Sequence, residues 1–104
     1  GADHVLGSNN EEQKALMQSD AAIGMLSHAW QNNDVKGLAI IMPNETIIKP
    51  TLENISQGKY PITRSLLLVT NGPPIGKIKE FITFILSKKG QDIVTQAGYI
   101  STLQ

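Results

Sequence analysis

The chain has no cysteine among its 104 residues. Disulfide stapling, thiol catalysis and cysteine-ligated metal sites are therefore excluded, although no compartment is selected by this, because some exported proteins lack cysteine too. Aromatic residues are scarce at 5%, and only two histidines are present, His4 and His28. Neither has a carboxylate at helical ligand spacing, so each reads as a surface or capping residue rather than part of a metal cluster. An excess of one charge is missing too: nine basic and nine acidic residues cancel, and the sequence pI is near 6.9. The longest basic cluster is Lys88-Lys89, which is no nucleic-acid footprint, and no nucleic-acid partner is expected. No apolar run approaches the length that spans a bilayer, and no signal-peptide pattern occurs. What is present is a 40% hydrophobic chain long enough for one core and not two.

The most informative stretch is residues 50–70, PTLENISQGKYPITRSLLLVT. Thr51 can cap a helical turn over residues 52–57, because its hydroxyl can accept from an orphan backbone N–H two or three residues on. Gly58 then stops the turn by taking the left-handed conformation that a helix exit commonly uses. Pro61 prevents the helix from resuming and biases Tyr60 towards an extended backbone. Ser65-Leu66-Leu67-Leu68-Val69-Thr70 is apolar at consecutive positions. That pattern suits a strand covered on both faces, although a buried helix has the same signature.

Upstream, residues 2–7 are poorly patterned and read as beginning within an element. Ser8-Asn9-Asn10-Glu11 fits a capping box that opens a helix over residues 9–18, with Ala15, Leu16 and Met17 on its buried side. Residues 21–27 form a candidate strand in which Gly24 marks a bulge or a close backbone approach. Residues 36–42 form another strand, followed by a turn at 43–46 and a short extended piece at Ile47-Ile48. Pro73-Pro74 breaks the backbone, since neither residue can donate to a ladder. Beyond it, Ile75, Ile78, Phe81, Ile82, Ile85 and Leu86 recur at helical spacing, with Lys77, Lys79 and Glu80 opposite them. Ser87 can cap a second helix that runs to about Ala97, with Ile93, Val94 and Ala97 inward and Gly98 as its stop. Burial of Phe81, Phe84 and their aliphatic neighbours is expected to contribute roughly 1.5–3 kcal/mol per side chain before entropy is charged.

Several of these residues also carry a family resemblance. Pro50-Thr51, Glu53-Asn54-Ile55, Gly58, Tyr60-Pro61 and Arg64 resemble the PT-x-E-N-I-x-x-G-x-Y-P-x-x-R run of the phosphate-binding proteins of bacterial and archaeal phosphate ABC transporters. Ala21-Ala22-Ile23-Gly24 is similar to the family's G-A-I-G-Y segment, with Met25 in place of its tyrosine. Phe81-Ile82, Phe84-Ile85-Leu86-Ser87 and Gly90-Gln91, closing on Gly98-Tyr99-Ile100, resemble its ending. The resemblance runs in order from Ser8 to Ile100. It implies an α/β fold, a small mixed sheet flanked by helices within a type 2 periplasmic-binding-protein architecture. It further implies that the chain is a single domain over residues 1–104, the carboxyl-terminal part or lobe of a larger two-lobed protein. Gly1 is then expected to be a cloning residue, and any export leader to precede the chain.

The function implied is extracytoplasmic capture of inorganic phosphate and its delivery to ABC permease subunits, by a periplasmic or lipid-anchored cell-surface receptor. No enzymatic step, catalytic residue, metal or cofactor is implied. Residues 21–26 would contribute to a hinge between lobes. Two other readings stand beside this one: a receptor for another oxyanion, such as molybdate, tungstate or sulfate, and a binding-protein-like sensor or interaction domain. A lobe without its companion also exposes apolar surface, so self-association of the chain is expected.

The candidate chemistry is thin. Ser27, His28 and Asp34 contain the residue types of a hydrolytic triad, but neighbouring side chains on a strand face opposite ways and no nucleophile elbow accompanies them. Gly72-Pro73-Pro74-Ile75-Gly76-Lys77 is a poor phosphate loop, since only three residues separate its glycines and its prolines lack N–H groups. Arg64 could either clamp an anion or partner carboxylate, or close a strand end on backbone carbonyls, and the structural role is favoured. Ser8 with Asn9 is an anion-compatible helix start, with capping the stronger reading. Trp30 and Tyr99 read as core-edge residues. Asn44-Glu45-Thr46 and Asn54-Ile55-Ser56 match the glycosylation tripeptide, which is idle in a bacterial protein. A buried oxyanion needs converging N–H groups, hydroxyls and usually an arginine. The resemblance places those donors in Ser-Gly-Thr loops and in an arginine and aspartate earlier in the family's chain, so no residue here is assigned to the ligand.

Overall fold

The computed structural model describes residues 4–103. The expectations for Gly1 and the first two residues of the 2–7 segment lie outside them. The chain divides into two compact units, one ending at Tyr60 and the other starting at Pro61.

In the first unit, α1 spans Asn9–Met17. Ser8 caps it, its hydroxyl accepting from the Glu11 N–H at 3.2 Å. The Glu11 carboxylate reaches back one residue further than a capping box requires and accepts from the Gly7 N–H at 2.9 Å. A 3-10 turn follows at His28–Trp30. It is tied to α1 at two points: the Ser27 N–H donates to Asn9 Oδ1 at 3.0 Å, and the Gln13 side-chain amide donates to the Trp30 carbonyl. β1 (Ile40–Ile41) and β2 (Ile47–Ile48) form an antiparallel hairpin in which Ile40 pairs with Ile48 and Ile41 with Ile47. Its loop is the turn anticipated at 43–46. The Glu45 N–H donates to the Met42 carbonyl at 2.8 Å, and the Asn44 side chain accepts from the Thr46 N–H at 3.1 Å. α2 (Leu52–Ser56) closes the unit.

In the second unit, α3 (Gly76–Leu86) and α4 (Lys88–Gln96) pack against each other across the corner at Ser87. Both α2 and α4 end in the same way. After α2, the Gly58 N–H donates to the Ile55 carbonyl and the Lys59 N–H to the Asn54 carbonyl; after α4, the Gly98 N–H donates to the Thr95 carbonyl and the Tyr99 N–H to the Val94 carbonyl. These are Schellman closures, which need a left-handed residue just past the helix. Gly58 and Gly98 supply it at φ 72° and 90°.

The sheet falls short of the mixed, helix-flanked sheet expected. Among the described residues it is one pair of two-residue antiparallel strands. Residues 21–27 form no strand, the strand expected over 36–42 contracts to Ile40–Ile41, and residues 63–70 carry no regular structure. A strand exists only against a partner ladder, and residues 61–74 make no backbone–backbone hydrogen bond among those described. The expected core is likewise missing: among the described residues no hydrophobic side chain is buried. Phe81 is 62% exposed, Phe84 47% and Ile93 57%, so much of the face of α3 and part of that of α4 that the pattern marks as inward are solvent-facing, while Ile82, Ile85 and Val94 are half-buried. In α1, Leu16 is half-buried while Ala15 and Met17 are exposed. Trp30 and Tyr99 are half-buried.

Candidate functional site

The two recognisable motifs fold into corners, and each is built from identifiable backbone needs. In the first, Thr51 Oγ1 accepts from the Asn54 N–H at 3.1 Å. The Asn54 side-chain amide donates to the Lys49 carbonyl at 2.9 Å, and its carbonyl accepts from Lys59 and Tyr60. Asn54 thus ties the entry and the exit of α2 together. Tyr60 carries the corner across to the hairpin, its hydroxyl donating to the Leu38 carbonyl at 3.0 Å. Glu53 makes only local contacts: its carboxylate accepts from the Gln57 amide at 3.3 Å and its carbonyl from the Ser56 hydroxyl at 3.0 Å.

The second motif is Ser87-x-x-Gly90-Gln91. The Ser87 hydroxyl accepts from the Gly90 N–H at 3.2 Å and donates to the Phe84 carbonyl at 2.5 Å, so one oxygen joins the end of α3 to the start of α4. A Cβ on Gly90 would lie 2.2 Å from the Phe84 oxygen and 2.5 Å from that of Ile85. Glycine is needed there for space, not for φ. Gln91 is the one buried polar side chain among the described residues, at 4% exposure. Its amide N–H donates to the Ile85 carbonyl at 2.8 Å while its oxygen accepts from the Thr102 N–H at 2.7 Å, which pins the tail after α4 to the α3–α4 corner. Both functional ends of that side chain are engaged by the chain's own backbone.

The remaining candidates separate in space or are already committed. Ser8 is used as the α1 cap, with the Glu11 carboxylate beside it, and Asn9 Oδ1 holds the Ser27 N–H; an anion arriving there would meet the carboxylate. No hydrogen bond among the described residues joins Ser27, His28 and Asp34, and the Asp34 N–H is bonded to Asn32 Oδ1 at 2.9 Å. His4 is exposed and His28 half-buried, and no group of three or more acidic or histidine side chains converges among the described residues. Arg64 is exposed and takes no part in an ion pair; among the described residues that pairing is confined to Lys88 and Asp92, 2.9 Å apart. Lys77 and the 72–76 turn before it are exposed as well. Gly24 sits in no strand, and the atoms its Cβ would meet are side-chain ends of α1, Glu12 Oε1 at 2.1 Å and Leu16 Cδ2 at 3.2 Å, so neither the expected bulge nor a close backbone approach is found there.

A hollow within the first unit has a volume of about 730 Å³ and is open to solvent. Lys36, Lys49, His28 and Thr51 edge it. Both lysines are exposed, so their attraction for an anion is screened by water and salt, and no buried donor backs them. Sequence reasoning missed this grouping, because Lys36 and Lys49 come together only through the hairpin between them. No helix among the described residues is long and apolar enough to cross a membrane.

Comparison with known proteins covers nearly the whole chain. The profile of a family described as bacterial extracellular solute-binding protein matches residues 12–100. The phosphate-binding protein PstS of Borreliella burgdorferi is 37% identical over 98 residues, covering 92% of this chain and 34% of that protein. PstS 2 of Streptococcus agalactiae serotype V is 35% identical over 97 residues, 92% of this chain and 31% of the relative. PstS of Bacillus subtilis is 33% identical over 94 residues, 89% of this chain and 30% of the relative. The chain spans about a third of the length of the curated relatives it matches. No solved structure matches it.

Proposed function

The chain belongs to the bacterial extracellular solute-binding protein family, and on that premise we propose that it is part of the receptor of a phosphate ABC transporter. The receptor captures inorganic phosphate outside the cytoplasmic membrane and hands it to the permease subunits. The observation that carries this reading is the 37% identity to a phosphate-binding protein across 92% of the chain. The activity involves no bond making or breaking; phosphate is held by hydrogen bonds and released by domain opening.

In the same reading, the chain is the carboxyl-terminal part of a two-lobed type 2 periplasmic-binding-protein fold, and its short hairpin and helices complete a mixed sheet with the rest of the protein. Closure occurs about a hinge to which residues 21–26 contribute. The oxyanion donors lie in the part of the protein outside residues 1–104. The exposed apolar faces make the isolated chain self-associate, which sedimentation at increasing concentration reads directly.

Thermal unfolding of the full-length parent with phosphate, sulfate or molybdate tests the assignment. Phosphate at a hundred times its dissociation constant stabilises by about 2.7 kcal/mol, whereas sulfate and molybdate produce no comparable shift. Stabilisation by molybdate or sulfate alone would reassign the ligand, and none by any anion would turn the reading towards a sensor or interaction domain. Residues 1–104 alone give no shift; a phosphate-selective one would place working donors inside this chain.

A further inference from the structure

Asn71 is the one asparagine of the chain that a glycine follows. Glycine puts no β-carbon beside its own backbone nitrogen, so that nitrogen is open to approach. Asn71 and Gly72 are both exposed, and nothing lies within 4 Å of where a Gly72 Cβ would stand. The bend they form is held by an oxygen and not by an N–H: the Thr70 hydroxyl donates to the Gly72 carbonyl at 2.7 Å. Neither the Gly72 N–H nor the Asn71 side chain enters a hydrogen bond among the described residues. The other asparagines are placed differently. The N–H that follows Asn10, Asn33, Asn44 and Asn54 is already donated in each case, from Glu11 to Ser8 Oγ, Asp34 to Asn32 Oδ1, Glu45 to the Met42 carbonyl and Ile55 to the Thr51 carbonyl. Asn9 and Asn32 are tied through their own Oδ1 atoms to the Ser27 and Asp34 N–H groups.

We propose that Asn71 is a site of spontaneous deamidation and isomerisation, with the Gly72 backbone nitrogen as the nucleophile. Hydroxide takes the proton of that nitrogen, which then attacks Asn71 Cγ. The N–Cγ bond forms, the Cγ–Nδ2 bond breaks, and Nδ2 leaves as ammonia with a proton from water, so that hydroxide is returned and a five-membered succinimide is left. Water opens the ring at Cγ to give aspartate, or at the Asn71 main-chain carbonyl to give isoaspartate, in which the chain runs on through the former side chain. One amide and one water molecule have become a carboxylate and ammonium. The product adds one negative charge to a chain whose nine basic and nine acidic residues otherwise cancel. In the isoaspartyl form the main chain gains a methylene between Thr70 and Gly72, which breaks the bond that closes the bend ahead of α3. The turn stays accessible in the full-length parent, because Pro73 and Pro74 have no N–H with which to join a ladder and connecting turns run over the surface. Nothing in this depends on phosphate as the ligand.

Ageing the native full-length parent at 37 °C and pH 8.5, beside the same protein unfolded in urea, tests the proposal. Trypsin, applied at mildly acidic pH to halt the reaction, releases residues 65–77 as one peptide between Arg64 and Lys77, with Asn71 its sole asparagine. The expected result is a mass gain of about 1 Da in that peptide, split between two chromatographic peaks, of which one accepts a methyl group from an isoaspartyl methyltransferase. Its rate in the native parent should lie within about 3-fold of the unfolded rate, exceed that of every other asparagine by roughly 10-fold or more, and fall on lowering the pH to 6.5. Asn71→Gln, which would have to close a six-membered ring, should abolish the gain. An Asn71 that stays intact in the native parent while the unfolded one reacts would show the turn to be covered and overturn the proposal. A mass gain without methyl acceptance, or one indifferent to pH, would overturn the succinimide route.

Discussion

Replacing Gly90 with alanine sets two effects of opposite sign against each other. Gly90 lies in the first turn of α4, and on intrinsic helix propensity alone alanine would stabilise by about 1 kcal/mol. The backbone conformation does not object, because Gly90 is not among the residues with positive φ. The objection is contact: the new methyl would stand 2.2 Å from the Phe84 oxygen, 2.5 Å from the Ile85 oxygen and 2.8 Å from the Ile85 carbonyl carbon. All three are backbone atoms and cannot rotate away. Comfortable contact needs about 3.5 Å, so the start of α4 must retreat from the end of α3 by about 1 Å. That retreat stretches the 3.2 Å cap from Gly90 to Ser87 and the 2.8 Å bond from Gln91 to Ile85. Overpacking of this kind costs roughly 1–3 kcal/mol, and a lost cap about 1 kcal/mol more. After the propensity gain, Gly90→Ala is expected to destabilise by about 2 kcal/mol. Urea unfolding of the full-length parent, followed by far-UV circular dichroism, reads this as a midpoint lowered by about 1 M, for a slope of about 2 kcal/mol per M. A midpoint equal to or above that of the unsubstituted protein would mean that propensity wins and that the two helices do not approach as closely as the geometry states.

Gly58→Ala isolates the other reason for a glycine: nothing lies within 4 Å of its Cβ position, but φ is 72°. The expected loss is about 1–2 kcal/mol, largely recovered by Gly58→Asn; equal losses for both variants would point to a contact instead. Gln91→Ala removes the partner of the Ile85 carbonyl and of the Thr102 N–H, at a cost of about 1 kcal/mol, and exchange at the Thr102 amide quickens. Gln91→Glu keeps the acceptor for Thr102 and loses the donor to Ile85, so slow exchange at Thr102 should survive in it; identical exchange in the two variants would refute the division of labour. The hydrogen bond and then the charge of Asp92 raise the pKa of Lys88 above its ordinary value. A raised lysine pKa gives stability that is complete below the ordinary lysine value and lost as pH rises through the folded one, so the effect is confined to strongly alkaline solution. Both side chains are mostly solvent-exposed, and the difference between wild type and Lys88→Met should be small, constant from pH 6 to 9, and erased by 1 M salt; a difference that changes within that window would refute the pairing.

Local punctuation was legible in the sequence because it depends on residues within a few positions of one another. Ser8, Thr51 and Ser87 cap the helices that follow them, and Gly58 and Gly98 close the helices before them, since caps and Schellman exits are satisfied by the chain's own neighbouring N–H and C=O groups. The hairpin turn at 43–46 was legible for the same reason. Strands at 21–27 and 65–70 were read from apolar composition, but a ladder is a non-local object, and composition does not supply the neighbour. The face of α3 was read correctly as apolar and wrongly as buried; periodicity says which side of a helix seeks cover, and not whether the same chain provides it. Gln91 could have been found from Gly90-Gln91 following a serine cap, but its grip on Thr102 needed the tail to be placed in space.

The same distinction explains why the family is recognisable while the ligand site is not. The signature residues are fixed by backbone demands: Asn54 because one side chain must reach the Lys49 carbonyl from the first turn of α2, Gly90 because no methyl fits against Phe84, Gln91 because one amide must serve both a carbonyl and an N–H. Such demands tolerate few substitutes, so they leave a readable trace in about a third of a receptor's length. An oxyanion site makes a different demand, for donors that converge from separate segments and are dried by burial. Lys36 and Lys49 meet the first half of it weakly and the second not at all, being exposed at the edge of an open hollow. Burial is what turns a screened surface attraction into a selective one, and the described residues bury no hydrophobic side chain.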